Sequence, residues 1–352
     1  MRRRNLSSVV AGVLTAGVLL SPGVASASSQ IEIGTGNKTC VPVTDKNCAN
    51  IKAPWALEHH GKLKNRNFNG SDVRGADLRG ANLKKSSFVE ANLKYGRFHD
   101  ANMSKVNMTG ANLKHGQFIG AKLNQANFGP SKNSGKGSQR RSQCAPRCKG
   151  AKLVHADFTE ANLKKADFTG ANLSSASLYL ADLTNARLTG AKLNKADLHY
   201  AKLSGADLSD VVASGAEIYN AKVMKANLSN AHLRGSTFTY SDLSQANLTD
   251  ADVSGSNMDY TNFSGANLTG AQLDLSNLFF TNFSGANLTG AHLVEVKMDN
   301  TTNLTNANLT GADLSNAVVS NGGPNLSGAT LCETKMWDGS TNKRDFIPTV
   351  KR

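Results

Sequence analysis

Aromatic residues are scarce in this chain. They make up 6% of its 352 residues, with only two tryptophans, although 39% of the residues are hydrophobic. After the N-terminal segment, no apolar run is long enough to cross a bilayer. These shortages argue against long apolar helices and a conventional core, and they leave regular packing of small side chains as the way to build an interior.

The chain also lacks the residue constellations that enzymes use. Its aspartates recur singly before a leucine or phenylalanine, as Asp157, Asp167 and Asp182 do, which indicates a structural slot rather than a general acid–base pair. His115 and His155 could lie near one another, but without an orienting carboxylate they are a weak metal signal. We therefore expect a protein that is not an enzyme, with no catalytic residue, no metal site and no cofactor.

The N-terminus has the layout of a secretory signal peptide. Arg2, Arg3 and Arg4 precede an apolar run over 9–20, and the small residues of Ala25-Ser26-Ala27 form a cleavage site. The run is too short to span a bilayer comfortably, which argues against a membrane anchor. We expect residues 1–27 to be removed and the mature protein to be secreted, with no membrane span left.

Residues 28–65 contain no repeat and are predicted to cap the repeats that begin after them. Cys40 and Cys48 lie close together in this segment. In an exported protein, such a pair indicates a disulfide.

A five-residue frame begins at Phe68. Every fifth residue is large and apolar from Phe68 to Phe128, and again from Leu153 to Met298 with Ala213 the only small occupant. The frame slips by one residue near 301–303 and by two near 322–323, then continues to Met336. The residue two places before each centre is nearly always small. Each unit therefore has one large and one small inward site and three outward sites, a repeat architecture rather than a helix or a strand.

A second period of twenty residues is superimposed, since residues 261–271 and 281–291 both read TNFSGANLTGA. The units Ala76-Asp77-Leu78-Arg79-Gly80 and Ala181-Asp182-Leu183-Thr184-Asn185 resemble those of the pentapeptide-repeat family, and the resemblance covers about residues 66–336. It implies an all-β fold, a right-handed quadrilateral β-helix in which four units form one square coil of twenty residues. About twelve such coils would stack at ~4.8 Å. The predicted organisation is repeats over 66–128 and 150–336 and a C-terminal tail over 337–352.

Residues 129–149 interrupt the frame, and Phe128 and Leu153 remain in register across them. The segment is predicted to be a surface loop with six basic residues and no acidic one. Its cysteines, Cys144 and Cys148, are expected to close a small ring. The loop is either a solvated insertion or a site for a polyanion. The candidate polyanion-binding residues are Lys132, Lys136, Arg140, Arg141, Arg147 and Lys149.

Charge is distributed unevenly along the chain. Residues 28–150 hold 21 Lys and Arg against 7 Asp and Glu, a net charge of +14, whereas residues 236–342 hold 2 against 10, a net charge of −8. Family relatives that protect DNA gyrase imitate DNA with an acidic rod, so the basic first half argues against DNA mimicry. Opposite charge at the two ends also predicts weak association of copies at low ionic strength.

The sequence thus predicts an exported, non-catalytic, rigid rod that binds an unknown protein partner. The alternative is a charge-driven binder of anionic cell-envelope polymer or nucleic acid through the basic N-terminal half and loop. Cys332 is the odd cysteine, either free or paired between chains.

Overall fold

The computed structural model describes residues 33–35, 38–42, 44–128 and 151–342. The predicted signal peptide, the basic loop over 129–149 and the end of the tail lie outside these residues. Within the described residues, no helix reaches the length and apolarity that crossing a membrane requires.

The chain forms a four-sided β-helix in which each coil pairs with the next through parallel bridges. Residues twenty apart are bridged, as Asn227 is to Asn247 and Asn247 to Asn267. The four faces are each defined by a ladder of bridges. Face one contains Asn67 and Ser87, face two Asp72 and Asn92, face three Asp77 and Arg97, and face four Asn82 and Asn102. The twenty-residue period of the sequence is therefore the length of one coil.

Regular strands are few, because each face contributes only a short extended segment between two turns. Antiparallel β1 (Ile33–Thr35) and β2 (Lys38–Cys40) form a hairpin ahead of the coils. Parallel β3 (Lys297–Met298) and β4 (Val318–Val319) belong to the β-helix near its C-terminal end.

The interior consists of the two inward residues of each unit. The centre residues, such as Leu268 and Phe263, are fully buried, and so are the small residues two places before them, such as Ala266. Phe68 stacks on Phe88 with ring centroids 4.8 Å apart. Interior stacking one coil apart is what the spacing of these phenylalanines predicts.

Each unit ends in a residue with positive φ, which turns the chain through a corner. Glycine adopts this conformation without strain, as Gly270 does at φ 66°, but many other residue types are held there too, including Tyr260 at φ 60°. The polar residue before each centre supports the turn. The Asn267 Oδ1 atom accepts hydrogen bonds from the backbone N–H and the hydroxyl of Thr269 at 3.2 Å and 2.7 Å.

The two halves of the repeat join without a break in the ladder. The backbone N–H of Ala151 donates to the carbonyl of Phe128 at 2.9 Å, and Asn127 is bridged to Asp167. The β-helix therefore continues from Phe128 to Ala151 at the corner between faces one and two. The predicted slips also appear in the register, since Asn282 is bridged to Asn303 and Asn303 to Asn325.

The coils begin closer to the N-terminus than the five-residue frame indicates. Asn47 is bridged to Asn67, and Lys52 to Asp72. The segment predicted as a cap therefore supplies the first coil, with an irregular step near Glu58 that shifts the frame and hides it in the sequence. Among the described residues, the hairpin precedes this coil, followed by a turn in which the backbone N–H of Asp45 donates to the carbonyl of Val41 at 2.8 Å.

Candidate functional site

The structure describes some of the residues that the sequence predicted to form disulfides or binding sites, and others lie outside the described residues. Cys40 and Cys48 are paired in the structure, with their Cα atoms 5.4 Å apart. Cys332 is half-buried and unpaired among the described residues. The six basic loop residues, together with Cys144 and Cys148, lie outside the described residues.

Lysines line the corner between faces four and one in the N-terminal half. Lys64, Lys85 and Lys105 are exposed there, and Lys84 is half-buried. None of these four forms an ion pair with another described residue. They occupy successive coils, so this corner presents a column of positive charge near the start of the rod.

A different corner, between faces three and four, has a continuous line of aromatic rings in the C-terminal half. We call Tyr179, Tyr200, Tyr219, Tyr240, Tyr260 and Phe280 the aromatic ridge. In that order, successive ring centroids are 5.7, 5.8, 5.6, 4.7 and 4.4 Å apart.

The ridge has two packing modes. Tyr219 meets Tyr200 and Tyr240 edge to face, at 79° and 76°, whereas Tyr240, Tyr260 and Phe280 are stacked within 16° of parallel. Tyr219 fills the gap that Asn220 would otherwise leave in the line. Such ring pairs contribute about 0.5–1.5 kcal/mol beyond area burial, so the rings hold one another in place.

The ridge is also the main exposed apolar feature of the described residues. Nine of their large hydrophobic side chains are exposed, and five of these nine lie on this corner: Leu180, Tyr200, Tyr240, Tyr260 and Phe280. Their exposed fractions run from 38% for Tyr200 to 49% for Phe280. A contiguous exposed apolar surface of this kind makes this corner the candidate interaction surface.

The corner position explains why the rings project outward. Tyr200, Tyr240, Tyr260 and Phe280 are the last residues of their units and have φ between 57° and 62°. This conformation places the side chain outside the coil, and it disfavours bulky residues. A tyrosine at this position gives nothing to the interior, which favours a role on the surface.

Sequence analysis missed the ridge, although one signal was available. Tyr240, Tyr260 and Phe280 are twenty residues apart at an outward position, the same spacing that identifies the interior phenylalanine pairs. The other rings follow at steps of 19 and 21 residues, because the last two residues of a unit share one corner.

Charges of opposite sign lie on the two sides of the ridge. Asp197 and Glu217 are neighbours on face three, and Lys202 and Lys222 are neighbours on face four. Glu217 and both lysines are exposed, and neither lysine forms an ion pair with another described residue. At the height of Tyr200, the ridge thus has carboxylates on one side and ammonium groups on the other.

Two groups of side chains have the composition of a metal site. In the first, His199 Nδ1 lies 2.6 Å from Asp197 Oδ1 and 3.6 Å from Glu217 Oε2. The second is Glu58, His60 and Asp77. In that group Arg79 already binds Asp77 at 2.7 Å and 2.8 Å, which neutralises the carboxylate. The first group alone could hold a cation, and the rings of Tyr200 and Tyr219 lie beside its histidine, with centroids 6.4 Å and 5.5 Å from that of His199.

The aspartates that precede the large residue of a unit form hydrogen bonds that support the fold, and they are not arranged for catalysis. Burial raises the pKa of Asp207, but hydrogen bonds from Ser209, Thr189 and Asn227 outweigh it and hold the pKa below its ordinary value. Asp207 Oδ1 also accepts from Asn227 Nδ2 at 3.2 Å, and Asn227 Oδ1 accepts from Asn247 Nδ2 at 3.0 Å. These side chains form ladders along the rod, which supports their structural interpretation.

The two histidines that the loop separates in sequence are adjacent in space. The rings of His115 and His155 stack with centroids 5.5 Å apart, and Tyr95 stacks on His115 at 5.1 Å. Desolvation, followed by the charges of Lys114 and His155, lowers the pKa of His115. Among the described residues no carboxylate completes a metal site here, and neither group of metal-site composition contains these histidines.

Comparisons with known proteins agree with this architecture. A family model described as pentapeptide repeats matches eight stretches of the chain. They are residues 62–94, 97–129, 151–190, 191–230, 226–265, 246–279, 256–294 and 276–321. No curated protein matches the chain.

Several solved structures are similar. HetL from the cyanobacterium Nostoc sp. strain PCC 7120, a pentapeptide repeat protein involved in heterocyst differentiation regulation, is 25% identical. That alignment covers 82% of this chain and 94% of HetL, with a TM-score of 0.33. QnrB1, a plasmid-mediated fluoroquinolone resistance protein, is 19% identical over 52% of this chain and 89% of its own, with a TM-score of 0.31. A pentapeptide repeat protein from Nostoc PCC 7120 is 32% identical over 31% of this chain and 73% of its own, with a TM-score of 0.23.

Proposed function

Because the chain belongs to the pentapeptide-repeat family, whose members form right-handed quadrilateral β-helices and are generally non-enzymatic, we propose that it is an exported, rigid scaffold that binds another protein. The observation that carries this proposal is the aromatic ridge. Five of the nine exposed large hydrophobic side chains of the described residues lie on this one corner. Tyrosine is enriched at protein interfaces, where its ring buries area and its hydroxyl group pairs with polar groups.

The scaffold fixes the ridge before any partner arrives. Each ring is anchored to a coil that is hydrogen-bonded above and below, as Tyr240 N–H is to the carbonyl of Asp259 at 3.2 Å. Ring–ring contacts further restrict the side chains. Ordering side chains at an interface costs about 0.5–1.5 kcal/mol each, so a preordered ridge binds with less of that loss.

The test compares two exposed tyrosine positions on different corners. Tyr240→Ser with Tyr260→Ser removes the centre of the ridge, and Tyr95→Ser removes an exposed tyrosine from the corner between faces two and three. Tagged mature protein is incubated with the secreted and envelope proteins of the source cells. We expect the ridge variant to lose a partner that the wild type and Tyr95→Ser retain. Retention of the same proteins by all three would overturn the ridge as the binding surface.

Export is proposed from the N-terminal pattern of residues 1–27. Expression of the full chain in a secreting host, followed by N-terminal sequencing of the product, tests it. We expect the mature protein outside the cell with Ser28 at its start. Retention of Met1 or the arginines on cell-associated protein would contradict export by this route.

The lysine column supports a second candidate, charge-driven binding of an anionic polymer. Lys84→Glu with Lys105→Glu reverses charge on this column, and Lys192→Glu with Lys195→Glu makes the same change in charge elsewhere. Each protein is eluted from heparin by a salt gradient. We expect the column variant to elute at clearly lower salt than its control, because fewer counterions are released on binding. Equal elution of the two variants would remove this candidate.

A further inference from the structure

We propose that the aromatic ridge is the contact surface of a parallel two-fold dimer, in which a second copy of this chain lies alongside with its ridge at the same height. The inference rests on the proposed function, since it names the protein that the ridge binds. It is based on the placement of charge on either side of the rings.

A two-fold axis parallel to the rod exchanges the two sides of the ridge and leaves height unchanged. Face three of one copy then meets face four of the other. Glu217 lies in the same coil as Lys222, and Asp197 in the same coil as Lys202. Glu217 of one copy therefore faces Lys222 of the other, and Asp197 faces Lys202. The two-fold axis repeats both contacts, so the interface has four such contacts. Such an interface is isologous and closed, the commonest arrangement in soluble oligomers.

The antiparallel alternative is electrostatically unfavourable at the same surface. A two-fold axis perpendicular to the rod reverses the direction of the second rod. Face three of one copy then meets face three of the other, and face four meets face four. Asp197 then approaches Glu217 of the second copy, and Lys202 approaches Lys222. Like charges brought together at an interface cost several kcal/mol. Face four also carries Asp182 and Asp242, which are bridged to Lys202 and Lys222. The flanking charges therefore favour the parallel orientation over the antiparallel register that places the two carboxylates, and the two lysines, opposite one another.

The orientation changes the salt dependence expected from overall charge. Opposite net charge at the two ends predicts association at low ionic strength. A parallel dimer instead sets two basic halves side by side, each with 15 Lys and Arg against 6 Asp and Glu, a net charge of +9, among the described residues of 33–128. Salt screens that repulsion, with a Debye length of about 8 Å at physiological ionic strength. Salt leaves the apolar contact of the rings intact but also screens the carboxylate–ammonium contacts, so we expect the parallel dimer to weaken with added salt less steeply than an association driven by opposite net charge.

The first experiment is a charge swap on the mature protein. Molar mass is followed by light scattering over ~1–100 μM, a range in which a modest interface dissociates. Glu217→Lys alone and Lys222→Glu alone should each weaken the dimer by about tenfold or more, because each places like charges together. The two changes combined should restore it, since the pair is only inverted. A double variant no tighter than the single variants would overturn the parallel arrangement.

The second experiment reads orientation directly. Leu180→Cys and Asn220→Cys are made separately in a Cys332→Ser background and treated with a short bis-maleimide. In a parallel dimer each position meets its own counterpart, so both variants should form cross-linked dimers. In the antiparallel dimer that places Asp197 opposite Glu217, the two copies of position 180 would be ~14 Å apart, three coil spacings, whereas those of position 220 would be one spacing apart. Cross-linking of only one variant would therefore contradict the proposal, and the background protein shows how much arises from other cysteines.

Failure of this inference is distinguishable from failure of the proposed function. A wild-type protein that stays monomeric at all concentrations and salts overturns the dimer. If Tyr240→Ser with Tyr260→Ser still loses a different captured protein, the ridge binds a heterologous partner and the proposed function stands. If the dimer forms but survives that same double substitution, the ridge is not its contact surface, and the inference fails.

Discussion

The backbone N–H of Ala151 donates to the carbonyl of Phe128 at 2.9 Å, the same contact that Ala126 makes with Leu123 in the preceding unit. Twenty-two residues separate Phe128 from Ala151 where two separate Leu123 from Ala126. The coil therefore closes across the insertion as if it were a normal corner. The hydrogen-bonded ladder, rather than chain continuity, sets the register here.

Deleting Gly129–Cys148 should leave the fold intact, because Lys149 and Gly150 then supply the two corner residues. The β-type circular dichroism spectrum and the melting temperature should match those of the full mature chain within a few degrees. Retention on heparin should decrease, since the deletion removes five basic residues, Lys132, Lys136, Arg140, Arg141 and Arg147. Loss of the β-type spectrum would show that the segment is part of the fold.

Leu268→Lys should unfold several coils, because Leu268 is fully buried. An ammonium group has no partner in that apolar interior, and loss of the leucine alone costs about 2–5 kcal/mol. Thr269→Lys is the control one residue along. Thr269 is half-buried on the outer surface, where its hydroxyl bonds to Asn267 and Asn287, so we expect a loss of about 1 kcal/mol. Urea unfolding measures both, and equal losses would refute the assignment of inward and outward positions.

Ala213→Leu should stabilise the protein, because Ala213 occupies a position where the other centres of its stretch are large. A small apolar cavity lies beside it, lined in part by Leu193, Leu233 and Phe238. Filling such a gap commonly contributes about 0.5–2 kcal/mol. Ala216→Leu makes the same change at a small inward site, where overpacking should cost about 1–3 kcal/mol. Thermal melts that move in the same direction for both variants would contradict this account.

Stability should decrease in acid partly through Asp313. Burial raises the pKa of this carboxyl, but hydrogen bonds from Lys335 and Ser315 outweigh it and lower the pKa to about 2. A folded-state pKa below the unfolded one gives stability that is present above about pH 4 and is lost as pH falls towards 2. Asp313→Asn should flatten this part of the profile of unfolding free energy against pH. An unchanged slope in the variant would assign the acid sensitivity to other carboxylates.

The sequence by itself determined the coil. A large residue every fifth place, with a small one two places before it, predicts a repeat architecture. The resemblance to the pentapeptide-repeat family implies the square coil, and the twenty-residue repeat fixes the register. The sequence also showed the two slips of the frame, near 301–303 and 322–323. The inserted residues shift the large residues that follow, but these remain five residues apart. The first coil was not readable, since the irregular step near Glu58 shifts its centres out of the frame.

Only the tertiary structure decided which surface the outward residues form. Corner residues contribute nothing to burial, so the pattern of large and small inward residues does not indicate which corner side chains form a common surface. Tyr179, Tyr200, Tyr219 and Tyr240 are separated by steps of 21, 19 and 21 residues, which match neither the five-residue nor the twenty-residue period. They become one ridge because the last two residues of each unit share a corner and the coils stack them. Glu217 and Lys222 are only five residues apart in sequence, but the turn between them places Glu217 on face three and Lys222 on face four. They therefore lie on opposite sides of the ridge, which the sequence alone does not show.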